Sequence, residues 1–291
     1  RELCQKCPIC QKTKRSHKKY GKIPEKEAES IPWDTLCVDL IGPYTIRRKN
    51  KPTLTLWCVT MIDPATTWFE VTQIPNKEPG TIANKVEQTW LTRYPWPTRI
   101  IYNRGGKFLR EFANMVENDY GIKKVPTTRK NPQANGVLER IHQTLGNMIC
   151  TFQVQELEVD EQDPWSGILS ATMFAIRATI HSTLKATPSQ LVFGRDAILN
   201  TQFQVNWNSI TARRQAQIHK DNIKENKGRI EHQYHRGDKV LYHHKTASKY
   251  GEDPWKGPYT VLKVNENGTV QLQMGAITDT INICLIKPYK E

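Results

Sequence analysis

The stretch Leu36-Cys37-Val38-Asp39-Leu40-Ile41 sets one carboxylate in the middle of an apolar run. A run of this length and composition is typical of a buried β-strand. An unpaired charge is costly in such a place, so Asp39 needs a metal ion, a cation or access to solvent. A second apolar run, residues 99–102, ends at Asn103 shortly before Gly105-Gly106. Asp39 is therefore the first candidate for a functional site, and Asn103 lies at the end of a second predicted strand.

The segments around these two runs predict an α/β sheet. Residues 54–62 and 67–74 are β-branched and aromatic runs joined by an Asp-Pro turn, which predicts a hairpin beside the Asp39 strand. Residues 80–94 carry apolar side chains at steps of four and predict a helix, and residues 108–121 predict a second one. Three strands followed by alternating helices and strands favour a sheet with helices on its faces.

A third predicted helix carries the next candidate acid. Its apolar stripe consists of Leu138, Ile141, Leu145 and Met148. Glu139 lies at the border of this stripe, on the same side as Asn135 and Gln143, so its carboxylate can point across the strand ends. Taken alone, Asp39 or Glu139 is more often a simple partner of a surface Lys or Arg. Their joint placement on a strand and a helix favours a functional site.

The order Asp39, Asn103, Glu139, with 35 residues between the last two, resembles the Asp-Asp-Glu triad of retroviral and gypsy-type LTR-retrotransposon integrases. The resemblance implies an RNase H-like core over residues 31–194, with a mixed five-stranded sheet and helices on both faces. It also implies Mg²⁺ or Mn²⁺ held by Asp39 and Glu139, with the first aspartate bridging two ions. Asn103 and Lys107 depart from the family pattern, which often has acids at both positions.

Asn103 offers a neutral amide oxygen where the family has a carboxylate. Losing one negative charge from a site for two dications weakens binding by several kcal/mol at an effective dielectric constant of about 20. We therefore expect metal binding to be weakened and catalysis to be impaired. An asparagine before Gly-Gly is also an ordinary turn residue, and that interpretation predicts the same loss.

The Pro-, Asn- and Gly-rich segment 126–136 predicts a loop beside the site, and residues 187–194 also match gypsy-type integrases. A plain solvent-exposed loop is the alternative for this segment. Its basic and amide side chains, with two from the Glu139 helix, are candidates for contacts with phosphates or base edges. These DNA-binding candidates are Lys130, Asn131, Gln133, Asn135, His142 and Gln143.

Residues 1–26 are basic and too poor in apolar residues to bury a core alone. Cys7 and Cys10 have the spacing of two zinc ligands, and Cys4 and His17 are the nearby candidates for completing a set of four. Unbound cysteines are the alternative. In the integrases, a Cys-x-x-Cys of this kind ends a zinc module that begins with two histidines. The resemblance therefore implies the C-terminal half of a truncated module, with Zn²⁺ bound in the intact module only.

The last third of the chain predicts a helical linker over residues 195–235 and a small antiparallel β-barrel over residues 237–291. Four runs of period two, residues 237–242, 259–264, 269–274 and 281–286, are separated by Pro, Gly and Asn-Gly turn signals. The segments 255–259 and 287–289 resemble the Gly-Pro-Tyr module of gypsy-type integrases. Lys239 and Lys256 are the DNA-binding candidates in this domain.

The composition favours a nucleic-acid partner. A net charge of +13 over 291 residues attracts phosphates, although membrane surfaces and acidic proteins would be attracted too. No apolar run is long enough to cross a bilayer, so we expect an intracellular location, in the nucleus or a retroelement particle, and no membrane partner. The predicted function is integrase-derived binding of double-stranded DNA, both element ends and target, with ancestral 3′ processing and strand transfer and a homo-oligomeric active form. The alternative is a non-enzymatic nucleic-acid-binding protein, either decayed or domesticated by a host.

Overall fold

The computed structural model describes residues 6–14, 18–48, 51–103, 108, 110–127, 136–154, 163, 165–243 and 253–290. The side chain of Glu139 lies outside this description. So do six of the candidate residues, namely Cys4, His17, Lys130, Asn131, Gln133 and Asn135. The described residues form two compact units. The central unit runs from Glu29 to Arg214, and the terminal unit combines the residues up to Ala28 with those from Gln215 onward.

The helices are, in chain order, α1 Pro8–Thr13, α2 Pro79–Val86, α3 Glu111–Asn114, α4 Gly136–Val154, α5 Ser166–Ala178, α6 Pro188–Phe193 and α7 Trp207–Asn226. Two of them continue as single π-helical turns, α2 through Glu87–Leu91 and α3 through Met115–Asp119. The strands are β1 Lys19–Tyr20, β2 Thr35–Arg48, β3 Lys51–Ile62, β4 Phe69–Ile74, β5 Arg99–Asn103, β6 Lys123–Thr127, β7 Arg229–Ile230, β8 Lys239–His243, β9 Trp255–Asn265, β10 Thr269–Met274, β11 Ile277–Asn282 and β12 Ile286–Pro288.

The central unit is built on a mixed five-stranded sheet in the order β4-β3-β2-β5-β6. The hairpin strands β3 and β4 are antiparallel, and β3 is antiparallel to β2, whereas β2, β5 and β6 run parallel. Because side chains alternate along a strand, Leu36 and Val38 of β2 face one side, and Cys37, Asp39 and Ile41 face the other. The predicted mixed sheet and the position of the Asp39 strand within it are confirmed.

Helices cover both faces of this sheet, as predicted. On one face, side chains of α2, such as Ile82 and Val86, join Leu36 and Val38 in an apolar cluster. On the other face, α4 and α5 pack against Cys37 and its neighbours. Asp39 points to this second face by strand alternation, which places it on the side of the helix that carries Glu139.

The predicted apolar stripe of α4 is wrong at its last position. Leu138, Leu145 and Ile149 are buried, and Ile141 packs partly buried beside them. Met148 is only partly buried and lies outside this cluster. Ile149 is eleven residues after Leu138, which is just over three turns of an α-helix, so it returns to the same side.

The terminal unit contains a five-stranded antiparallel sheet in the order β11-β10-β9-β8-β12. Its core includes Val240, Val261, Val270 and Leu272. Four strands were expected, and the expectation of one strand over 281–286 is wrong. A 3₁₀ turn at Ile283–Leu285 separates β11 from β12, and the Asn282 side chain caps this turn by accepting from the Cys284 amide.

The N-terminal segment completes the terminal unit. Strand β1 pairs in parallel with β7, and Tyr20 and Ile23 pack against the core of the five-stranded sheet. The linker helix was expected to reach His235, but α7 ends at Asn226. The Asn226 side chain donates to and accepts from the backbone of Ile23, and the chain then enters β7. No described helix is long and apolar enough to span a membrane.

Candidate active site

Four polar side chains stand side by side across the central sheet. Thr60 of β3 is the register partner of Asp39 in β2, and Asn103 of β5 is the register partner of Thr127 in β6. Val38 pairs with Tyr102, so Asp39 and Asn103 are the next residues along two parallel strands. The order of the strands therefore produces the row Thr60, Asp39, Asn103 and Thr127, which we call the polar row.

Hydrogen bonds link the polar row. The Asn103 Nδ2 donates to Asp39 Oδ1 at 2.8 Å, and Thr127 Oγ1 donates to Asn103 Oδ1 at 3.1 Å. Asp39 Oδ1 also accepts from the amide of Leu40 at 2.8 Å. Asn103 is exposed and Asp39 is partly buried, which gives the carboxylate the access to solvent that its charge requires. The Asn103 amide thus presents its donor side to Asp39 and turns its oxygen toward Thr127.

Helix α4 reaches the polar row through a histidine. His142 Nε2 lies 2.8 Å from Thr60 Oγ1, and that hydroxyl donates to the backbone oxygen of Asp39 at 3.1 Å. Thr60 is fully buried. Burial of the imidazole lowers the pKa of His142 to about 4, so the ring is neutral at pH 7.

Glu139 precedes His142 by three residues on α4, and residues at this spacing lie on the same face of a helix. The helix also approaches β2 closely at Gly146, where a Cβ atom would lie 3.4 Å from the Tyr44 hydroxyl. These two contacts hold α4 across β2 and β3, with the turn that contains Glu139 beside the polar row. The structure therefore brings Asp39, Asn103 and the backbone of Glu139 to one face of the sheet.

The donor set of this site fits one hard divalent cation better than two. Carboxylate and amide oxygens are ligands that Mg²⁺ accepts, and Asp39 supplies the carboxylate. The Asn103 oxygen already accepts from Thr127, so the amide would have to turn, with loss of its bond to Asp39, before it could bind a cation. Among the described residues, no three His, Cys, Asp or Glu side chains converge on a common metal position.

The other described candidates lie elsewhere. Gln143 is exposed on α4. In the terminal unit, Lys239 is exposed and donates to Thr260 Oγ1 at 2.8 Å, and Lys256 is exposed on the adjacent strand. DNA contacts of these residues and of His142 stay predictions.

Cys7 and Cys10 lie at the start of α1, and neither takes part in a disulfide bond. Hydrogen bonds from the backbone and side chain of Cys10 lower the pKa of the Cys7 thiol. A more stable thiolate is a better metal ligand. The further ligand candidates Cys4 and His17 lie outside the described residues, so the zinc prediction rests on the spacing of the two cysteines.

Thr60 and Thr127 are site residues that the sequence analysis missed. Thr60 lies within the apolar run 54–62, where a β-branched residue is expected for its strand propensity alone. Thr127 is the last residue of β6 and is buried. Both threonines lie beside a predicted site residue on the neighbouring strand. This relation could have identified them only if the order of the strands had been known.

A chain with this sheet, the polar row and a helix-borne glutamate has the architecture of an RNase H-like catalytic core. No family model matches the chain. It is 26% identical over 249 residues, 86% of its length, to the retrovirus-related Pol polyprotein from transposon 412 of Drosophila melanogaster. It is 27% identical over 203 residues, 69% of its length, to the Pro-Pol polyprotein of simian foamy virus type 3. These matches cover 18% and 16% of the two polyproteins, so the chain spans less than a fifth of either relative.

A solved structure of a simian T-cell lymphotropic virus intasome, in complex with the PP2A regulatory subunit B56 gamma, matches with a TM-score of 0.65. The match covers 99% of this chain and 88% of that chain at 14% sequence identity, and at this identity it establishes the fold. Together, these matches show that the chain is similar to part of retroelement Pol polyproteins and has the fold of that intasome chain, with an RNase H-like core.

Proposed function

We propose that this chain is an integrase-derived DNA-binding protein whose ancestral 3′ processing and strand transfer are impaired by Asn103. The observation that carries the proposal is the 2.8 Å hydrogen bond from Asn103 Nδ2 to Asp39 Oδ1. A donor occupies the position where a second carboxylate would share a cation with Asp39. The same placement, on adjacent strand ends facing α4, supports descent from a working site.

Two bound cations would compensate charge on the attacking and leaving oxygens of a phosphodiester. In this chain, Asp39 and Glu139 would hold Mg²⁺ or Mn²⁺, and the neutral Asn103 leaves the second ion underbound. The missing charge weakens binding by several kcal/mol at an effective dielectric constant of about 20. The chain's own groups would then bind and orient DNA, and exposed lysines would follow the phosphates.

The partners proposed for the chain are double-stranded DNA, as element ends and target, and further copies of itself. The net charge of +13 supports DNA as a partner, and the intasome match supports both partners. Zn²⁺ is proposed only for an N-terminal module with a full ligand set, since a structural zinc site needs four ligands. The proposed location is the nucleus or a retroelement particle.

A strand-transfer assay with element-end oligonucleotides and Mg²⁺ or Mn²⁺ tests the proposal. The substitution Asn103→Asp restores the missing charge at the same strand end, and activity should appear that is faint or absent in the unchanged chain. The double variant Asn103→Asp with Glu139→Gln is the control and should be inactive. Strand transfer by the unchanged chain at the rate of Asn103→Asp would refute impairment by Asn103.

The second candidate is a non-enzymatic DNA-binding protein, decayed or domesticated by a host. The hydrogen-bonded row favours it, because Asp39 and Asn103 satisfy each other without a cation. Inactivity of Asn103→Asp in the presence of intact DNA binding would support this candidate.

A further inference from the structure

Helix α4 lies on the sheet mainly through apolar side chains, including Leu138, Leu145 and Ile149. Apolar burial is non-directional, so it constrains the position of the helix along the strands less sharply than a hydrogen bond does. The contact between His142 and Thr60 is directional. It joins the middle of α4 to the strand next to Asp39.

The Thr60 hydroxyl lies within hydrogen-bond distance of two groups, the backbone oxygen of Asp39 at 3.1 Å and His142 Nε2 at 2.8 Å. When its single hydrogen is donated to the backbone oxygen, the hydroxyl oxygen accepts from His142, which is the tautomer with the imidazole hydrogen on Nε2. The chain of hydrogen bonds thus runs from α4 through Thr60 to the residue that carries the candidate carboxylate.

The contact also limits how far α4 can slide. One residue of an α-helix advances about 1.5 Å, whereas hydrogen-bond lengths vary by roughly 0.5 Å. A slide of one residue would therefore break the bond from His142. Glu139 lies about 4.5 Å along the axis from His142, so its backbone position is set by the same contact. Ligand groups must be held within about 0.5 Å for a productive site.

We propose that Thr60 and His142 are a positioning pair that fixes the turn of α4 containing Glu139 relative to Asp39. This role requires no contact of either side chain with a cation or DNA, so it is separate from the DNA contact predicted for His142. The inference rests on the proposed function, because it assumes that Asp39 and Glu139 hold a common cation. It gives Thr60, a buried strand residue, a role in positioning α4 in addition to packing within the sheet.

The test is the Mn²⁺ affinity of the full chain, measured by calorimetric titration in the Asn103→Asp background. Thr60→Val keeps the shape and removes the hydroxyl, and Thr60→Ser keeps the hydroxyl. Loss of a group that orients metal ligands lowers metal affinity about 10- to 100-fold. We expect a loss in this range for Thr60→Val, and a change below about twofold for Thr60→Ser, which retains the hydrogen bond.

His142→Phe supplies an independent variant, since phenylalanine keeps a ring and removes the donor. The losses from Thr60→Val and His142→Phe should not add in the double variant, because both remove one contact. Equal Mn²⁺ affinity of Thr60→Val and Thr60→Ser, or additive losses, would overturn the positioning role. The melting temperature of each variant shows whether it folds. If the variant of one residue fails to fold, the variant of the other residue of the pair tests the positioning role.

Failure of the proposed function gives a different result. If Asn103→Asp binds Mn²⁺ no more tightly than the unchanged chain, the shared cation site is wrong and the positioning role falls with it. If Asn103→Asp gains affinity and Thr60→Val leaves that gain intact, the cation site stands and only the positioning role is overturned.

Discussion

Replacing Lys239 and Lys256 with glutamine should weaken DNA binding and flatten its dependence on salt. Both lysines are exposed and lie on the paired strands β8 and β9, Lys239 opposite Thr260 and Lys256 opposite Tyr242. The Lys239 ammonium donates to the Thr260 hydroxyl, which holds it on the sheet surface. If each lysine neutralises one phosphate, the double variant loses two contacts.

The size of this effect follows from counterion release. The logarithm of affinity falls with the logarithm of salt concentration by about 0.9 for each phosphate contact on duplex DNA. Loss of two contacts makes the slope shallower by about 1.8. The loss of affinity is then about 30-fold at roughly 0.15 M salt and about 200-fold at roughly 0.05 M salt.

Fluorescence anisotropy with a labelled duplex, at four or more salt concentrations, measures both quantities. The matched control replaces Lys220 and Lys224, two exposed lysines of α7, with glutamine. It lowers the net charge by the same two units. An equal loss of DNA affinity in both double variants would show that net charge alone governs binding. An unchanged salt dependence in the variant of Lys239 and Lys256 would show that these lysines do not contact DNA phosphates.

Three further predictions concern the terminal unit. Arg229 has a fully buried side chain that donates to two backbone carbonyls of the N-terminal segment. Arg229→Met should therefore lower the free energy of unfolding, measured by urea denaturation, by about 3–5 kcal/mol. The control Arg236→Met, at an exposed arginine, should change it by less than about 0.5 kcal/mol. Burial lowers the pKa of Lys287 to about 8, so above that pH the unfolded chain binds more protons than the folded chain. The free energy of unfolding of the unchanged chain should therefore rise from about pH 8 to pH 10, and it should rise less steeply in Lys287→Met. The chain should hold no tightly bound zinc through Cys7 and Cys10. A zinc content of one ion per molecule, measured on the purified protein by mass spectrometry, would contradict this.

Much of the central unit could be predicted because its signals are local. Asp39 interrupts an apolar run, and the period of two places it on a known side of the strand. Asn103 closes a strand before Gly-Gly, and the apolar spacing of α4 sets which residues face the sheet. Strand and helix patterns of this kind depend on near neighbours in the sequence, so they can be read without the fold.

The contact between Thr60 and His142 could not be predicted, since the two lie 82 positions apart in the sequence. Thr60 has the sequence context of any strand residue, and His142 looks like a polar position on an exposed face. Which two polar groups meet depends on the angle and height at which α4 packs on the sheet. No local pattern contains that information.

The end of the β11 run shows a second limit. Residues 281–286 alternate as a strand should, yet the chain leaves the sheet at Ile283–Leu285. A side-chain cap by Asn282 decides the outcome, because it satisfies an amide that a strand would pair with its neighbour. A single capping bond can therefore override a period of two.

The terminal unit is assembled from two segments that flank the central unit in the chain. During synthesis, the first segment emerges from the ribosome long before the strands against which Tyr20 and Ile23 pack. At about 5–20 residues per second, the delay is on the order of ten to forty seconds. The central unit has time to fold on its own during this interval. The segment with Cys7 and Cys10 stays unpacked until the strands of its sheet have been synthesised. During this time it is accessible to nascent-chain chaperones or zinc.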